Sequence, residues 1–157
     1  MVADADTPFL DKSDPSSWKA LNGLSLAVGR AAESAGIERE TLELMYVLIS
    51  QLNRCAYCLD MHTRRALESG ADPLKLAQLP AWHESAVFTE VECAALAIGE
   101  VTTTLPAVED RQAALAIARA TLGDQAFTAL EWAALTMNAY NRVSILSEHP
   151  VRLRKQP

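Results

Sequence analysis

Aromatic side chains are scarce, at 6% of 157 residues, and cysteine occurs three times, at Cys55, Cys58 and Cys93. Three cysteines are too few, and odd in number, for a secreted disulfide framework. Positive charge is short as well, with 14 Lys and Arg against 20 Asp and Glu and a net charge of −6. No basic patch is therefore available to release counterions from a nucleic-acid backbone. No Asn-Gly or Asp-Gly hairpin turn lies between alternating runs, and β-branched residues do not cluster at period two. Charges interrupt every stretch that approaches the roughly 18 apolar residues of a bilayer span. The opening Met1-Val2-Ala3-Asp4-Ala5-Asp6 carries acids where a signal peptide carries Lys or Arg. The expectation is a cytoplasmic protein with neither a nucleic-acid nor a membrane partner.

What is present is helical. Apolar residues make up 50% of the chain and charged residues 22%, and Ala, Leu and Glu, all good helix formers, dominate. The length suits one domain burying roughly 70% of its unfolded surface. An all-α single-domain bundle of about six to seven helices is expected over 16–147, after an extended arm at 1–15 broken by Pro8 and Pro15. A basic tail at 148–157 carries Arg152, Arg154 and Lys155, solvated or docked on a neighbour. Ser16 or Ser17 caps a first helix that stops at Ala35-Gly36. A second runs from near Glu38 to Asn53, and its segment Leu44-Met45-Tyr46-Val47-Leu48-Ile49, apolar on every side, marks a buried central helix. A third starts near Arg54 or Cys55 and closes at Gly70. Pro80 interrupts a short stretch, Thr89 caps a helix through Val101, and two more follow at about Glu109 to Thr121 and Asp124 to Leu146.

One place departs from bland patterning: Glu43, then Cys55-Ala56-Tyr57-Cys58, then His62. With helical steps of about 100°, Cys55, Cys58 and His62 share one face about 60° wide. Two thiols so spaced suit a reversible dithiol/disulfide couple if the first stands at the frayed helix start, although a metal half-site or plain packing would use the same spacing. The helix start can activate a thiol. At a pKa of about 8.5 only about 3% is thiolate at pH 7, and unpaired N–H groups with the helix dipole lower that value. His62, one turn on, is placed to hydrogen-bond Cys58 and carry a proton. Glu43 would raise the thiol pKa by direct contact, so its useful place is behind His62. An acid followed by six apolar residues is costly to bury unless paired. Ser50, seven residues on, could add a hydroxyl to that network.

Glu43, Ser50-Gln51-Leu52-Asn53, Cys55-Ala56-Tyr57-Cys58 and His62 together resemble the core signature of the AhpD-like alkyl hydroperoxidases, within the carboxymuconolactone decarboxylase superfamily. The resemblance extends from about Trp18 to Ser147. It implies an all-helical trimer or hexamer that reduces peroxides through a cysteine pair without a bound metal, flavin or other cofactor. Carried over by position, Cys58 is the peroxidatic thiol and Cys55 the resolving, more accessible one. His62 and Glu43 form the proton relay, and an external dithiol, often lipoamide-like, restores the couple. Tyr57 stands where the best-known peroxidase of the family has a second histidine. The superfamily's lactone decarboxylases lack the cysteine pair, which makes decarboxylation of a small carbon acid the poorer reading.

From another class comes a zinc-binding or interaction module with Cys55, Cys58 and His62 as ligands. Zinc normally takes a fourth ligand, and nothing in the spacing points to His83, Cys93 or His149. Leu59 after Cys58 excludes a haem attachment. Tyr57 and Trp82 are candidate substrate contacts, Cys93 reads as core, and Asn138, Tyr140, Asn141 and Arg142 form a polar stripe in which Arg142 can cap carbonyls. Apolar surface on Leu21, Leu24 and Val28, or on the last helix, is expected to meet a partner subunit.

Overall fold

The computed structural model describes residues 7–151; Arg152, Arg154 and Lys155 lie outside them. Among the described residues there are seven α-helices and no strand. The helices are α1 (Leu10–Ser13), α2 (Pro15–Ser34), α3 (Arg39–Leu52), α4 (Ala56–Glu68), α5 (Pro73–Gln78), α6 (Glu90–Thr104) and α7 (Val108–Leu146), with a 3₁₀ segment at Leu79–Glu84. None is long and apolar enough to cross a membrane.

Helix α3 is the axis, packed against α4, α6 and α7. Leu44, Met45, Val47, Leu48 and Ile49 are all buried, as an all-round apolar run requires. They divide between two clusters: Met45 and Ile49 join Ile98, Leu130 and Met137 on the α7 side, whereas Leu44, Val47 and Leu48 join Leu79, Trp82 and Leu96 beneath the 3₁₀ segment. Gly99 lets α6 approach α3 closely, since a Cβ there would lie 2.8 Å from Met45 Cγ.

The helix ends largely follow local chemistry. Thr89 and Glu92 form a reciprocal capping box at α6, and Gly36 and Gly70 adopt the left-handed stops after α2 and α4, with φ of 77° and 99°. Several boundaries differ from expectation. Asp14 caps α2 in place of Ser16 or Ser17, accepting from both of their N–H groups, because Pro15 fits the first helical position and moves the cap back one residue. Helix α6 runs on to Thr104 rather than Val101. The two last helices form one element broken at Gly123 (φ 75°). The N-terminal arm is not simply extended: Leu10–Ser13 makes a helical turn, and Leu10 N–H donates to Ser147 Oγ at 3.0 Å, tying the arm to the end of α7.

Candidate active site

The reactive segment is positioned by the junction of α3 and α4. Arg54 takes a left-handed conformation (φ 57°), and Arg54 N–H donates to Gln51 O and Cys55 N–H to Ser50 O, each at 3.0 Å. This is a Schellman-type ending with arginine in the position usually held by glycine. It delivers Cys55 as the N-cap of α4, so that helix begins at Ala56 and not at residue 54 or 55. Cys55 Sγ accepts the Cys58 N–H at 3.3 Å, which folds the first sulfur back toward the second. Both cysteines are free thiols.

The two sulfurs differ in setting. Cys58 lines a cavity of about 330 Å³ with Tyr46, Tyr57, His62 and Tyr140, whereas Cys55 does not line it. Both are buried, at 2% and 1% exposure for Cys55 and Cys58, so neither sulfur is openly exposed, and of the two it is Cys58 that lines the cavity. Cys58 is pulled down to about 6, first by the hydrogen bond from the Cys55 thiol, then by those from Ser144 and Asn141, against the opposing effect of burial. Cys55 moves strongly upward, because its proton is held by Cys58 and its site is desolvated. The arrangement favours a negative charge on Cys58 over one on Cys55.

Beside the sulfur stands the acid–imidazole pair. Glu43 on α3 is fully buried, and its Oε2 lies 2.6 Å from His62 Nδ1. Arg39, one turn earlier, forms an ion pair with Glu43 Oε1, so the buried charge has a partner on each side. Tyr46 lies edge-on to the His62 ring, with centroids 5.1 Å apart, and its hydroxyl is pushed up to about 12 by burial and by the charge of Glu43. With Nδ1 committed to Glu43, Nε2 is the nitrogen left for the cavity. His62 was expected to hydrogen-bond Cys58; the sulfur is instead held by Ser144, Asn141 and Cys55, and His62 shares only the cavity with it.

Ser50 is buried but does not join Glu43 and His62. Its hydroxyl donates to Tyr46 O at 2.7 Å and accepts from Asn141 Nδ2 at 3.4 Å. Asn53 Nδ2 donates to Asn138 Oδ1 and Asn141 Oδ1, each at 2.9 Å. Together, Ser50 and Asn53 lock α3 to α7 and hold Asn141 beside Cys58. Arg142 does cap a carbonyl, donating to Asn138 O at 3.0 Å.

Tyr57 lines the cavity at its half-exposed rim, and Trp82 does not. Trp82 is buried in the second cluster, where its Nε1 donates to Glu100 Oε2 at 2.8 Å, because the 3₁₀ turn at Pro80 points it inward under α6. Cys93 packs half-buried against that cluster. Val28 is buried within the chain, leaving Leu24 as the exposed member of its expected interface set. The zinc reading finds no ligand set: among the described residues no three His, Cys, Asp or Glu side chains converge to hold a metal.

Residues beyond those read from the sequence complete the site. Arg39 is recoverable as the i−4 neighbour of Glu43. Ser144 continues the step of three set by Asn138 and Asn141 on a buried face, a signal the polar stripe carried one turn further than expected. His149 and Asp11, which also line the cavity, have no local signal, since they meet across the whole chain.

The family model described as "Carboxymuconolactone decarboxylase family" matches residues 19–100, which include Glu43, both active-segment cysteines and His62. An uncharacterised protein of Bacillus subtilis, YdfG, is 31% identical over 113 residues, covering 72% of this chain and 77% of that protein. A crystal structure of a protein of unknown function from Agrobacterium tumefaciens, ascribed to antioxidant defence as AhpD, superposes with a TM-score of 0.81 at 24% identity, covering 94% of this chain and 99% of that one. With its all-helical AhpD-like fold, the chain belongs to the carboxymuconolactone decarboxylase family.

Proposed function

We propose that the protein is a thiol-dependent peroxidase of a reducing compartment such as the cytoplasm. The observation that carries this reading is geometric: Cys58 faces a cavity shared with His62, which is held by buried Glu43, while Cys55 Sγ is folded back onto the Cys58 N–H. At a pKa of about 6, Cys58 is roughly nine-tenths thiolate at pH 7. It attacks a peroxide oxygen, the O–O bond breaks, Cys58 becomes sulfenic acid, and the departing alkoxide takes a proton from the His62 side of the cavity, where Glu43 stabilises the charged ring. Cys55 then displaces water from the sulfenic acid to form the disulfide, and an external lipoamide-like dithiol reduces it. No bound cofactor enters this cycle.

The test is peroxide consumption driven by a lipoamide-like dithiol. Cys58→Ser is expected to reduce consumption to background; retention of the wild-type rate overturns the reading. The family match favours a second reading, acid–base chemistry on a small carbon acid at Glu43 and His62, and turnover that survives replacement of both Cys55 and Cys58 would support it. The chain is further read as a homo-oligomer, a trimer or hexamer, associating through the groove between α2 and α7, where Leu24, Ala27 and Ala31 face Ala129 and Trp132. Trp132 stands half exposed there. Sedimentation of Trp132→Glu is expected to show smaller assemblies than wild type, and a wild-type protein that sediments as a monomer overturns it.

A further inference from the structure

The Glu43–His62 pair leaves one proton unassigned. Cys55 must lose its own before it can close the disulfide, and it does not line the cavity that His62 shares with Cys58. The hydroxyl placed to serve both sulfurs is that of Ser144, which lines the cavity beside Cys58 and favours the ionised form of both thiols. Ser144 is buried on α7, and its Oγ lies 3.2 Å from His149 Nδ1. The other ring nitrogen, Nε2, lies 3.2 Å from Asp11 Oδ1. The ring is fixed on its faces too, stacked on Phe9 at 5.3 Å and tilted against Tyr57 at 5.2 Å. Side chains of the arm, of α4 and of α7 therefore converge on one imidazole.

We propose that Ser144, His149 and Asp11 form a second proton route, dedicated to deprotonating Cys55 during disulfide closure. A carboxylate only accepts, so Asp11 places the proton on Nε2 and leaves Nδ1 to accept from Ser144. Once Cys58 has become a sulfenic acid it no longer draws the Ser144 proton as a thiolate does, so the hydroxyl can turn to His149 and its oxygen is free to accept the Cys55 S–H. In the closing step the Cys55 proton passes to Ser144 Oγ as the hydroxyl proton passes to His149 Nδ1. The Cys55 sulfur bonds to the Cys58 sulfur, the Cys58 S–O bond breaks, and the departing hydroxide recovers the proton by the reverse path and leaves as water. Cys55 is oxidised and the Cys58 sulfenic acid reduced by the same electron pair, so no further reagent is needed. Ser144 touches a reacting atom and is the catalytic member; His149 and Asp11 act through it as positioning residues.

This assignment rests on the peroxidase reading and is tested by resolving the two steps. In rapid-mixing experiments with peroxide and no reductant, His149→Gly and Asp11→Asn are expected to slow disulfide closure far more than formation of the Cys58 sulfenic acid, which is read by dimedone trapping. Disulfide closure, read by mass, should slow tenfold or more in His149→Gly and less in Asp11→Asn. Added imidazole should restore closure in His149→Gly, whereas the much weaker base pyrazole should not, a distinction that a packing role cannot produce. Closure at the wild-type rate in His149→Gly, or equal slowing of both steps without imidazole rescue, overturns the second route. Diamide separates this outcome from failure of the peroxidase reading. It loads Cys58 without peroxide and leaves Cys55 to close the disulfide with loss of the hydrazine. A wild-type protein inert to peroxide but closing with diamide at a His149-dependent rate retains the proton route and discards the peroxidase.

Discussion

The molecule contains two regions with the same three residue types, and only one of them is enclosed. Around the α3–α4 junction stand Cys58, His62 and Glu43; where the 3₁₀ segment meets α6 stand His83 on the former and Cys93 and Glu100 on the latter. The acid–imidazole distances are nearly equal, 2.6 Å for Glu43–His62 and 2.8 Å for Glu100–His83. Their surroundings are not, since the first pair has side-chain exposures of 6% and 0% for His62 and Glu43, and the second 63% and 31% for His83 and Glu100. A surface pair of the second kind is screened by water and contributes little. The cysteines differ likewise. Three donors stabilise a negative charge on Cys58, whereas burial and the charges of Glu92 and Glu90 push the Cys93 thiol up and favour its proton. Residue type and pair distance therefore do not distinguish a relay from a surface contact; enclosure and the donors around the sulfur do.

The comparison can be broken most sharply at the sulfurs. Cys58→Ser is expected to lower dithiol-driven peroxide consumption to background, while Cys93→Ser leaves it unchanged. Next come the acids: Glu43→Gln should lower turnover by roughly 10²-fold, the usual scale for removing support from a general acid, and Glu100→Gln should leave it unaltered. The pH dependence of alkylation gives a subtler contrast. The rate at Cys58 should rise with pH as thiolate forms and reach half its plateau near pH 6, whereas Cys93 should still be rising above its ordinary thiol value. The smallest effect is structural. Gly99→Ala pushes a methyl against Met45 and Ile49 in the cluster on the α7 side and should lower stability by about 1–3 kcal/mol in denaturant unfolding.

Much of this was legible in the sequence because local physics decided it. The all-α class, the buried α3 and the α6 capping box follow from periodicity and end residues, and Glu43, Cys55, Cys58 and His62 from their spacing. Ser50 was misplaced because a shared helical stripe says nothing of which neighbour a hydroxyl meets, and Asn141 took it. Trp82 was misplaced because its direction depends on the 3₁₀ turn after Gln78, not on proximity to the site in sequence. His149 and Asp11 stayed hidden because they lie 138 residues apart and are brought together by the docking of the arm on the end of α7.

The central claim is that charge and proton are divided between two apposed sulfurs. Mass mapping after one equivalent of peroxide tests it most directly: a Cys55–Cys58 disulfide should form while Cys93 stays reduced. Oxidation at Cys93 first, or a Cys58 that stays unmodified while peroxide persists, would contradict the account.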